Sequence, residues 1–95
     1  MKGIQDYYPD HFAMCYGCGR LNDNGHQIKT TWNGDETITR FVPKDYHTAI
    51  PGFVYGGLLA SLIDCHGTGS AALALAKANN IELTEHNAPR CVTAS

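Results

Sequence analysis

Ninety-five residues, with 7 Lys or Arg against 9 Asp or Glu and a net charge of −2, suffice for one small domain with a modest core. No basic cluster appears, which argues against a nucleic-acid or anionic-membrane partner. Four cysteines behind a polar N-terminus without a signal-peptide core read as reduced thiols, so the cytoplasm is the expected address.

Residues 1–14 show no clear period, and the run Tyr7-Tyr8-Pro9-Asp10-His11-Phe12 reads as an irregular arm that packs aromatics on a neighbour. Cys15-Tyr16-Gly17-Cys18-Gly19 and Asn22-Asp23-Asn24-Gly25 mark successive tight turns of a loop. Two thiolates at C-x-x-C spacing, with His11 and His26 nearby, have the composition of a tetrahedral zinc set. A structural zinc site shows two well-formed ligand pairs, however, and His11 and His26 are singletons. The expectation is a turn with two packed thiols and no metal or other cofactor.

From His26 to Trp32 the chain alternates, with Ile28, Thr30 and Trp32 on one face. Asn33-Gly34 supplies a hairpin turn, and Glu36 to Val42 forms the second arm until Pro43 stops it. A polar loop with Asp45, Tyr46, His47 and Thr48 leads to Pro51-Gly52-Phe53-Val54-Tyr55-Gly56-Gly57, a glycine turn opening a helix over Leu58 to Ala78. That segment is apolar nearly all round, so it is expected to lie buried. Asp64 and His66 within it argue against membrane spanning. Asn79-Asn80 ends the helix, and Arg90 to Ser95 has strand composition.

Ser61, Asp64 and Thr68 recur at i, i+3 and i+7 and share one stripe of the helix. A lone carboxylate there is expected to face a wet cleft, to be hydrogen-bonded, or to carry a raised pKa. Glycines at the helix start let a ligand approach amides whose N–H groups point outward at the positive end of the dipole. Over Gly56 and Gly57 a thioester carbonyl would find an oxyanion site, and Asp64 would attack it or activate water. The competing account is that the two glycines cap a crowded helix and Asp64 is an ordinary hydrogen-bonded residue. His66, in step with Leu59, Leu62, Ile63 and Leu73, reads as a packed, hydrogen-bonded histidine. It points about 100° away from Cys65, so the two form no catalytic dyad.

The stretch Ile50 to Gly67, with Pro51-Gly52, Gly56-Gly57 and Asp64 in order, resembles the signature of hotdog-fold acyl-CoA thioesterases of the phenylacetate-pathway type. The resemblance extends to Cys15-Tyr16-Gly17-Cys18-Gly19, to Thr39-Arg40-Phe41-Val42-Pro43 and to Val92-Thr93-Ala94-Ser95. It implies an α+β fold of the hotdog kind, a central helix packed on an antiparallel sheet and incomplete in a single chain. It further implies a hydrolase acting on an acyl-CoA thioester, with Gly56 and Gly57 polarising the carbonyl, Asp64 as general base or nucleophile, and Thr68 beside it. His47, Thr48, Tyr55 and Ser61 would line the substrate. Tyr55 stands where that family usually has His, and Thr48 where it often has Gln or Asn. The family's sheet continues for about three strands past the Val-Thr-Ala-Ser segment, so residues 1–95 correspond to the front part of one domain. Three short strands cannot cover so apolar a helix, and a homodimer or higher homo-oligomer is expected. Two other readings stand beside the hydrolase: an acyl-CoA or lipid groove without turnover, and a structural remnant completed by a partner.

Overall fold

The computed structural model describes residues 2–93. It is a small α+β unit in which one long helix packs on a two-stranded antiparallel sheet, with an N-terminal arm wrapped across both. Strand β1, Thr30–Asn33, pairs with β2, Glu36–Thr39, in the register Thr30↔Thr39 and Asn33↔Glu36. The turn is therefore Gly34-Asp35, one residue later than the Asn-Gly pair suggested, with Gly34 at φ +65°. Both strands are shorter than their patterns. Residues 26–29 are held to the cysteine loop instead, through His26 N–H to Tyr16 O and Ile28 N–H to Gly17 O.

Helix α1, Gly56–Ala78, includes the two glycines that were expected to precede it. It ends in a Schellman motif. Asn80 takes φ +53°, its N–H reaches Lys77 O, and the Ile81 N–H reaches Ala76 O at 2.9 Å. The helix has no sided hydrophobicity, yet only one side of it is covered. Leu58, Cys65, Gly69, Ala72, Leu73 and Ala76 are buried, while Leu59, Ile63 and Leu75 lie exposed. The expectation of burial all round is corrected, because a two-stranded sheet and an arm are too narrow to enclose a helix of 23 residues. Length and a mean hydropathy of 1.3 would also let this helix cross a membrane, but these criteria fit a core helix equally, and α1 packs on the sheet and the arm.

The sheet turns threonines toward the helix. Thr39 Oγ1 lies 2.9 Å from His66 Nδ1, and Thr37 Oγ1 lies 2.7 Å from Ser70 Oγ, which in turn approaches His66 Nε2 at 3.4 Å. Thr30 Oγ1 joins Thr39 Oγ1 at 2.8 Å. The arm completes this ladder. Gln5 Nε2 donates to Thr30 Oγ1 and Gln5 Oε1 accepts the Thr30 N–H, so a side-chain amide occupies the β1 edge where a third strand would pair. Gly69 lies beneath these groups, where a Cβ would come within 2.7 Å of Gln5 Nε2.

Two apolar clusters flank the ladder. Ile4, Tyr8, Ala72 and Leu73 gather Trp32, Leu83, Ala88 and Cys91. Cys18, Ile28 and Cys65 gather Cys15, Phe41 and Leu62. The stretch 90–93 forms no strand, and residues 94–95 of that expected strand lie outside the described part. Cys91 packs on the first cluster instead.

Candidate functional site

The loop before α1 is shaped by its own hydrogen bonds. Thr48 and Val54 form an isolated antiparallel bridge, Ala49 N–H donates to Phe53 O, and Tyr55 N–H donates to His47 O. These bonds set Tyr55 as the N-cap in extended conformation, and its side chain makes no capping bond. The Gly56 and Gly57 N–H groups accordingly have no acceptor among the described residues. Beside them lies a pocket of about 310 Å³ lined by Tyr16, His26, His47, Tyr55, Gly57 and Ser61. The Tyr55 ring passes so near Gly57 that any Cβ there would strike it.

Four of the residues expected at the site, Tyr55, Gly57, Ser61 and His47, thus meet at one pocket. Gly56 stands exposed beside it. Tyr16 and His26 were missed, because they belong to the cysteine loop, and only its fold-back brings the His26 ring to 5.6 Å from that of His47. Burial, then the neighbouring His47, lowers the pKa of His26. Ser61 donates to Leu58 O at 2.7 Å, a backbone bond within the helix. Thr48 spends its hydroxyl on Ile50 O and Phe53 O, each at 3.2 Å, and lines a different recess with Pro43, Gly52 and Phe53.

Asp64 is exposed and accepts a hydrogen bond from Thr93 Oγ1. It thus faces a cleft and is hydrogen-bonded, as expected of a lone carboxylate there. With Thr68, whose hydroxyl donates to Cys65 O, it lines a separate cleft of about 180 Å³. Gly56 and Asp64 are eight residues apart, or about 12 Å along the helix axis. Within one chain they do not face a common point.

The same cleft is floored by three thiols. Cys18 and Cys65 are buried, Cys15 is half-buried, and the Cys15 and Cys65 sulfurs stand 3.9 Å apart. The hydrogen bond from the Cys65 thiol holds Cys18 down to about 6, against the opposing effect of burial. The Cys65 thiol is pushed up by the same bond, where it is the donor, and then by burial. One proton is thereby retained on Cys65 when Cys18 ionises. The histidines next to the C-x-x-C pair in sequence lie elsewhere, His11 against Phe12 and His26 among Tyr16, Phe41 and His47.

No family model, curated protein or solved structure matches this chain. Function therefore rests on the geometry itself.

Proposed function

We propose that this chain is a hotdog-like hydrolase of acyl-CoA thioesters whose reacting groups come together between two copies. The observation that carries this reading is the pair of unpartnered Gly56 and Gly57 amides beside an aromatic-lined pocket. Such donors stabilise negative charge as it develops on a carbonyl oxygen, each contributing about 2.7–4 kcal/mol where measured. Asp64 of the same chain lies too far along the helix, so the carboxylate comes from a second copy. The uncovered apolar side chains around it, Ile50, Phe53, Leu59 and Ile63, give that copy a surface to bury.

In this scheme the thioester oxygen accepts from the glycine amides. Asp64 of the second copy takes a proton from water, and the hydroxide adds to the carbonyl carbon. The tetrahedral species then collapses with C–S cleavage, and the proton held by Asp64 passes to the departing thiolate, giving acid and thiol. The His47 and His26 rings and the Tyr55 ring frame the acyl group.

A mixed acyl-CoA panel assayed alongside light scattering tests the scheme. Turnover by an oligomer, reduced at least about 10²-fold in Asp64→Asn, is the expected result. Unchanged turnover in that variant removes Asp64 from the chemistry, and a stable, well-folded monomer at micromolar concentration removes the shared site. The placement of Gly57 and Asp64 in separate cavities favours the second reading, an acyl-CoA-binding or oligomer-forming chain without turnover, and acyl-CoA binding without hydrolysis would establish it.

A further inference from the structure

The three-thiol cluster is left unused by the hydrolysis scheme, and its geometry is that of a ligand set. The sulfurs of Cys15, Cys18 and Cys65 all lie within 4.8 Å of one another, and those of Cys15 and Cys65 are 3.9 Å apart. Two thiolates bound to one tetrahedral ion at a zinc–sulfur distance of about 2.3 Å stand about 3.8 Å apart. The Cys15–Cys65 spacing needs almost no adjustment, and the other two pairs, within 4.8 Å, need to close by at most about 1 Å. We propose that Cys15, Cys18 and Cys65 bind one thiophilic d10 cation of the zinc class, with its fourth position open to the cleft beside Asp64 and Arg90.

Buried cysteines commonly pack as small hydrophobes, so the argument turns on how the three come together. Two belong to a turn and the third arrives from α1, 50 residues away from Cys15. The turn is fixed by Gly19 N–H to Cys15 O at 2.8 Å and by His26 N–H to Tyr16 O at 2.8 Å. Between its two cysteines stands Gly17, where any Cβ would collide with the Cys65 sulfur. The loop thus brings the helix thiol against the C-x-x-C turn, close enough for all three sulfurs to reach one ion.

The donor chemistry selects the ion. Three sulfurs suit zinc or another soft d10 cation, while calcium and magnesium call for oxygen. Three thiolates on a divalent ion leave a net charge of −1, and Arg90 and Asp64 line the same cleft with opposite charges. Cys91 lines the cleft but stands outside the trio, so the fourth position falls to water. This site does not depend on the hydrolase reading, since none of the three sulfurs takes part in it.

Titration of the reduced, metal-free full chain with Co2+ under anaerobic conditions reads the site directly. Saturation at one ion per chain is expected, with the strong visible bands of tetrahedral cobalt, thiolate charge-transfer bands in the near ultraviolet, and displacement by Zn2+. Cys65→Ser leaves the C-x-x-C pair intact yet should lose these bands, whereas Cys91→Ser should keep them. Should Cys65→Ser fail to fold, alkylation of the unmodified chain decides. Zn2+ should protect three of the four cysteines, counted by mass. Absence of the bands, the weak spectrum of six-coordinate cobalt, survival of the bands in folded Cys65→Ser, or alkylation unaffected by Zn2+ would each overturn the proposal.

Discussion

The two ends of α1 are built on opposite terms. Around Ala72 and Leu73 the helix is enclosed by Ile4, Tyr8 and Trp32, and the hydroxyl ladder of Thr30, Thr37, Thr39, His66 and Ser70 lies just N-terminal to them, with every member paired. Around Gly56 to Ile63, Leu58 is buried and Leu62 half-buried, but the outer face is open, with Leu59 48% and Ile63 73% exposed. One chain thus closes the half that gives stability and leaves open the half that carries the candidate chemistry.

That contrast is broken most severely at the closed end. Leu73→Ala empties a site that Leu73 shares with the buried Ile4, Tyr8 and Ala72, and a loss of about 2–5 kcal/mol in denaturant unfolding is expected. Ile63→Ala should change the stability of a single copy by no more than about 0.5 kcal/mol while weakening self-association in light scattering. Equal effects of the two on stability would show that the ends are alike. Gly69→Ala is the next largest. Its methyl would meet Gln5 Nε2 at 2.7 Å and Thr30 Oγ1 at 2.9 Å, and overpacking of this kind costs about 1–3 kcal/mol. The Gln5 amide would leave the strand edge, which faster exchange of the Thr30 N–H would report.

The smallest effect concerns the arm's ion pair. Burial tends to raise the Asp6 carboxyl, but the Lys29 ammonium at 2.6 Å and the Gly3 N–H outweigh it, and the pKa is lowered. A lowered carboxylate contributes stability above its unfolded value of about 4, and that contribution is lost as pH falls through the folded value. Asp6→Asn should therefore cost up to about 1 kcal/mol at neutral pH and nothing once the wild-type carboxyl is protonated. A difference between the two proteins that persists unchanged in acid would rule the pair out as its source.

The helix, its asparagine stop and the hairpin were legible because each leaves a local mark. Glycine or asparagine stands where positive φ is needed, and an apolar run needs a cover. The arm leaves no such mark. Gln5 does its work by imitating a strand, through one side-chain amide placed against Thr30, and no periodicity encodes that. The sheet's inner face was obscured for a related reason. Thr37 and Thr39 alternate with Ile38 and Arg40 in a pattern that suits cover on both faces and marks neither as the inner one, and the threonines meet the helix, where Ser70 and His66 offer partners. Of the candidate site, Gly57 and Ser61 were legible from their places on the helix, whereas Tyr55 and His47 came only with the family resemblance. His26 and Cys65 were not legible, since each takes its place only when the cysteine loop folds back. The one available signal was the count of four cysteines, which left Cys65 without an assigned role beside a pair lacking its third member.

Gln5 also has a bearing on how the molecule breathes. The arm holds no regular element beyond two single turns, Ile4–Tyr7 and Asp10–Phe12, and it grips the sheet through the Gln5 amide and the Asp6–Lys29 pair. Ile4, Gln5 and Tyr8 are buried in that grip, so the arm lifts only in a partial unfolding that also uncovers Ala72 and Leu73. When the arm lifts, it bares the β1 edge and slackens the cysteine loop that follows it. The rate at which Cys18 reacts with an alkylating reagent then becomes a clock for that opening, counting excursions of the arm that spectroscopy of the helix would never register.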